Sequence, residues 1–111
     1  MRILLVGASG TIGRAVAAEL GAGPELVAAG RSSGCVRLDI PDPASIRKAY
    51  GEAGTLDAVV CAAGSVTFKP LADITASDYE LGLRDKLMGQ VNLVLIGREF
   101  VSDGASFTLT G

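Results

Sequence analysis

The stretch Ile3 to Gly13, reading ILLVGASGTIG, constrains this chain more than any other part of it. Ile3 to Val6 are four consecutive apolar residues, the mark of a strand buried on both faces. Gly7, Gly10 and Gly13 follow at spacings of three. From Thr11 the apolar period lengthens to that of a helix through Ile12, Val16 and Leu20, with Gly21 and Gly23 as stop signals. Strand, glycine turn and helix in this order form a phosphate cradle. Gly7 permits the sharp turn, Gly10 lets the backbone approach a pyrophosphate, and Gly13 lets the helix pack on the sheet. The first turn, Thr11 to Gly13, offers free N–H groups and a partial positive charge, and Ser9 and Thr11 add hydroxyl donors. Ile12 belongs to the same candidate phosphate loop. Glycines used only for packing are the competing reading.

The rest of the chain repeats the alternation. Glu25 to Gly30 and Cys35 to Ile40 are further apolar runs, and Leu56 to Gly64 is a buried strand with a turn behind it. Between them a helix opens with Asp42 as N-cap and Pro43 at its first position. A long helical pattern runs from about Ser77 to Phe100, with Leu83, Leu87, Val91 and Val94 or Leu95 on its apolar face. Ala105 to Gly111 reads as a last strand. The expected fold is α/β, a doubly wound parallel sheet in one domain over residues 1–111. Only Arg31 to Gly34 separate the second and third runs, whereas parallel neighbours ordinarily need a long crossover. A short, staggered third strand is preferred over an antiparallel pair.

Composition excludes several functions. Ten Lys and Arg against 12 Asp and Glu give a net charge of −2 with no basic stripe, so nucleic acid is not an expected partner. There is no histidine, and Cys35 and Cys61 have no ligand spacing, so no metal site is expected. Both thiols are expected reduced and buried. No stretch reads as a signal peptide or membrane span, and the expected location is cytoplasmic.

The end of the second strand bears on the ligand. An NAD-selective site places Asp or Glu there for the ribose 2′-hydroxyl. This chain reads GRSSG, with Glu25 at the opposite end of the strand. Arg31 suits a 2′-phosphate, with Ser32 as a further donor, so NADP is favoured over NAD. A solvated loop arginine is the alternative.

These landmarks together resemble the N-terminal half of a short-chain dehydrogenase/reductase, with a Rossmann-like sheet truncated after about five strands. GASGTIG has the spacing of that family's atypical and extended members. Asp39 and Ile40 match the acidic-apolar pair that contacts adenine. Cys61 to Gly64, reading CAAG, is similar to the family's NNAG turn below the nicotinamide ribose. By that resemblance Ala62, Ala63 and Gly64 join the cofactor site, although Cys61 and Ala62 lack the two asparagine side chains. Lys86 falls where most members carry a relay asparagine, which implies a donor to the nicotinamide ribose or a solvated lysine.

The resemblance implies hydride transfer to or from a small carbonyl or alcohol substrate, but the family's Tyr-x-x-x-Lys pair is not here. Tyr50 is followed four residues on by Gly54, and Tyr79 by Leu83. No catalytic residue is assigned. Three readings stay open: the cofactor portion of a longer NADP-dependent oxidoreductase, a non-catalytic NADP-binding or sensing module, and an α/β interaction domain. Half of such a sheet is expected to leave an open edge and an apolar face uncovered. Gly82, Gly89 and Gly97 on the long helix suggest close packing on the sheet or on a second copy, and the expected assembly is a homo-oligomer through that helix.

Overall fold

A computed structural model describes all 111 residues. One sheet of five strands has the order β3-β2-β1-β4-β5, and every neighbouring pair is parallel. The strands are β1 (Arg2–Val6), β2 (Glu25–Gly30), β3 (Val36–Arg37), β4 (Leu56–Cys61) and β5 (Val101–Leu109). The helices are α1 (Thr11–Leu20), α2 (Pro43–Ala53), α3 (Ala76–Gly82) and α4 (Met88–Gly97), with a π-helical turn over Leu83–Leu87 joining the last two. α1 packs on β1, and α2 and α4 pack together over the sheet. No helix is long and apolar enough to cross a membrane.

The short third strand is parallel, as the stagger requires. Only Ala29 and Gly30 of β2 pair with it, opposite Val36 and Arg37. Because β3 starts beside the end of β2, the chain need not return along the whole strand. Gly34, at φ +95°, turns the backbone so that Cys35 N–H donates to the Ala28 carbonyl at 2.8 Å.

The core lies between the sheet and α2/α4. Leu4, Val6, Val27, Ala29, Val59 and Cys61 meet Ile46, Ala49 and Tyr50 of α2 and Leu93 of α4. Tyr50 is fully buried and stacks on Phe100 at a centroid distance of 5.4 Å. Its hydroxyl donates to the Leu93 carbonyl at 2.7 Å, so the polar tip is satisfied inside the core.

Four expectations need correction. The long helix runs to Gly97, and its π turn changes which face is buried: Leu93 is inside, while Leu83, Leu87 and Leu95 are exposed. One additional residue in a turn rotates the rest of the helix by about 100°, and a constant helical period misses it. Ile12, the first residue of the apolar period read along α1, is also exposed. Cys35 is exposed and only Cys61 is buried, because the first belongs to the turn before β3. β5 forms the open edge expected, with Leu109 exposed on it, but most of the uncovered apolar surface sits on residues 66–71 and along α3–α4, while Ile3 and Leu5 of the sheet are buried. The helix glycines pack within the chain: a Cβ on Gly89 would come 2.8 Å from Ile40 Cδ1, and one on Gly97 would overlap the Tyr50 hydroxyl.

Candidate functional site

The C-terminal ends of β1, β2 and β4 converge on one cleft of about 260 Å³. Ligands of open α/β sheets bind at this end, where the strand order reverses. Here β1 stands between β2 and β4, and the reversal lies directly above Gly7.

The loop after β1 is fixed by its own backbone. Gly7 N–H donates to the Ala29 carbonyl and Ala62 N–H to that of Val6, both at 2.8 Å, which ties the three strand ends together. Gly7 has φ +83°, and a Cβ there would lie 2.8 Å from the Ala62 carbonyl oxygen, so only glycine fits. A Cβ on Gly13 would overlap the Gly7 carbonyl oxygen, which is the close helix-to-strand approach read from the spacing. Gly10 differs from both. Its φ is −77°, and a Cβ there would meet nothing closer than 3.5 Å. The protein's own packing does not require glycine at position 10, which borders the cleft.

The first turn of α1 carries no side-chain cap and no acidic residue. The first N–H groups of a helix have no partner within it. Those of α1 open beside the cleft and favour an anion. Thr11 and Ile12 are exposed in this turn and Gly13 is buried behind it; the three stand next to the cleft rather than in its lining.

Gly7, Ser9, Gly10, Arg31, Ser32, Asp39, Ile40, Ala62, Ala63 and Gly64 are brought together around the cleft. Arg31 and Ser32 are exposed, and Arg31 takes part in none of the chain's ion pairs. Glu25 is held at the far end of β2 by Arg2, at 3.4 Å. Asp39 presents its carboxylate without an internal partner, while its backbone N–H donates to Ser45 Oγ at 2.9 Å. Ile40 borders the cleft but is buried against Gly89, so its side chain mainly serves the core.

Lys86 stands outside the lining. Its stem covers Gly64, and its ammonium donates to Thr110 Oγ1 at 3.4 Å. Thr110 donates in turn to the Cys61 carbonyl at 3.0 Å, and Gln90 Nε2 donates to the Thr110 carbonyl at 2.8 Å. Lys86 thereby closes the corner between β4 and β5. Burial pushes the Cys61 thiol pKa up, more than the Ala63 backbone and nearby Lys86 lower it, as for a core thiol.

Sequence reasoning missed Val6, Gly30, Ser33, Leu38, Ser65 and Asp85 in the lining. Ser33 and Ser65 adjoin named residues and were within reach of a broader reading. Asp85 was not, because it lies in the π turn, which a constant helical period does not anticipate.

The family model for the NAD dependent epimerase/dehydratase family matches residues 3–100. The chain belongs to that family. Its structure superposes on protein lin1944 from Listeria innocua with a TM-score of 0.91 at 47% identity, over 96% of this chain and 54% of that one. A small-chain dehydrogenase matches with a TM-score of 0.85 at 25% identity, over 100% and 59% of the two chains. A short chain dehydrogenase from Burkholderia cenocepacia J2315 in complex with NADP shares the fold, with a TM-score of 0.83 at 23% identity, over 99% and 54%. This member of the epimerase/dehydratase family thus spans 54% to 59% of the length of those solved structures. No curated protein matches the chain.

Proposed function

We propose that this chain is the cofactor-binding portion of an NADP-dependent oxidoreductase of the short-chain dehydrogenase type. The observation that carries the reading is the open first turn of α1, uncapped at a cleft where Gly10 leaves room no internal packing needs. A pyrophosphate would take the donors of that turn with the hydroxyls of Ser9 and Thr11. Arg31 and Ser32 would hold the 2′-phosphate, since no carboxylate stands at the end of β2 to repel it. Asp39 and Ile40 would border the adenine, and Ala62 to Gly64 would let the nicotinamide ribose approach the backbone.

When bound, the nicotinamide supplies or accepts a hydride at a carbonyl or alcohol carbon. This chain's own residues bind and orient. Neither tyrosine is placed to move a proton at the cleft: Tyr50 is in the core with its pKa raised by burial, and Tyr79 lies on α3 outside the lining. A small-molecule substrate and pairing of two copies through α3–α4 belong to the same proposal. The position of the tyrosines favours one second reading, a nucleotide-binding module without catalysis.

Fluorescence titration with NADPH and NADH tests the assignment. Arg31→Ala is expected to weaken NADPH about tenfold, the worth of one charge-assisted contact, and to change NADH little. Equal loss for both cofactors would refute the 2′-phosphate role. No saturable binding by the unaltered chain would refute the nucleotide reading.

A further inference from the structure

No strand supports the backbone of Asp39. β3 is the edge of the sheet, and its pairing ends with Gly30 opposite Arg37. Leu38 N–H still reaches the Gly30 carbonyl at 3.1 Å, but Asp39 N–H lies beyond the ladder. Ser45, in the first turn of α2, takes the place of a strand. Its Oγ accepts from Asp39 N–H at 2.9 Å, and its one proton is shared between the carbonyls of Asp39 and Asp42, each at 2.8 Å. Asp42 N–H donates to the same Asp39 carbonyl at 2.9 Å. Both backbone polar groups of Asp39 are thus bound by the turn that opens α2.

Leu38 and Ile40 on either side are buried, which anchors the segment without setting the rotation of the peptide planes between them. Hydrogen bonds are directional, and those of the Ser45 hydroxyl set that rotation. The Asp39 side chain enters no ion pair within the chain, and the residue borders the cleft. With no partner of its own, the carboxylate starts from wherever the backbone directs its Cβ.

Resting on the nucleotide reading above, we propose that Ser45 is a positioning residue for the adenosine half of the cofactor, acting through Asp39. It is not in the lining of the cleft and touches no ligand. Loss of its hydroxyl leaves Asp39 N–H unbound, lets both peptide planes turn, and spreads the carboxylate over several directions. Asp42 at the same helix end has a separate task, since its carboxylate accepts from Ala44 N–H and not from Asp39.

The test is a double-mutant cycle on NADPH affinity, read by nicotinamide fluorescence, in the unaltered chain, Ser45→Ala, Asp39→Ala and the double variant, with urea denaturation of each. Ser45→Ala is expected to weaken NADPH about fivefold, the worth of one neutral hydrogen bond. In the Asp39→Ala chain the same change should weaken it by less than about twofold, because the side chain it aims is gone. The loss of stability should be equal in both backgrounds, since Ser45 binds only backbone atoms of Asp39. Asp42→Ala, which weakens the same helix end, should leave affinity unchanged. Ser45→Cys keeps the shape with much weaker hydrogen bonding and should repeat the pattern where alanine costs the fold. An equal loss of affinity in both backgrounds overturns the proposal, as does an Asp42→Ala chain that binds as poorly as Ser45→Ala. NADPH binding that neither Ser45 variant changes removes only the role of Ser45. No saturable binding by the unaltered chain removes the nucleotide reading and that role with it.

Discussion

The N-terminal ends of α1 and α2 present the same backbone donors and treat them in opposite ways. At α2, Asp42 accepts from Ala44 N–H at 3.1 Å, and Pro43 removes another donor altogether. At α3, Thr75 and Asp78 cap each other's backbone in a capping box. At α1, Gly10 caps nothing and the first turn has no acid. The ends of α2 and α3, away from the cleft, satisfy their own donors. The one facing the cleft leaves its donors to a ligand, at some loss of stability in the free chain.

Giving α1 the cap that α2 has should break this contrast most severely. Gly10→Asp fits, because the backbone there suits any L residue and an added Cβ meets only ordinary contacts. The chain should fold as before, while NADPH binding weakens by more than about a hundredfold, since the new carboxylate takes the donors and repels the phosphates. Titration by fluorescence checks it, and retained affinity would mean that the open turn is not the anion site.

Gly13→Ala tests the seat of α1 instead of its mouth. Its Cβ would overlap the Gly7 carbonyl oxygen, so the helix or the loop must shift. A loss of about 2 kcal/mol in urea denaturation is expected, with weaker binding alongside. A smaller effect is expected at α2, where Asp42→Ala should cost about 1 kcal/mol and leave nucleotide affinity unchanged. If binding also falls, the two helix ends are not independent.

The smallest effect is in acid. Asp78's pKa is held down first by the backbone N–H of Thr75, and also by Lys69 and the Thr75 hydroxyl. A depressed folded pKa gives stabilisation that is present above the unfolded value and lost as pH falls through the folded one. Amide exchange at the start of α3 should therefore speed up relative to the first turn of α1 as the pH falls through and below the ordinary carboxylate range. Equal responses at both ends would show that the capping carboxylate contributes nothing.

Much of the frame was legible because local chemistry dictates it. The β2 bounds, the Asp42 cap with Pro43 behind it, and the roles of Gly7 and Gly13 each depend on residues close in sequence. The buried face of α3–α4 was not legible. A constant period put Leu83 and Leu87 inward, and the π turn put Asp85 and Lys86 there. Cys35 was misplaced for a related reason, since an apolar run does not reveal that its first residue belongs to a turn.

The sequence by itself determined a parallel sheet with a glycine turn ahead of α1, because apolar period, glycine spacing and capping residues act within a few positions of each other. It also set Arg31 where an acid would otherwise stand. Only the tertiary structure decided that Gly10 is free of internal contacts, that Lys86 binds Thr110, and that Asp85 faces the cleft. Those facts depend on the spacing of β1, β4 and the π turn in three dimensions, where residues far apart in the chain compete for the same space.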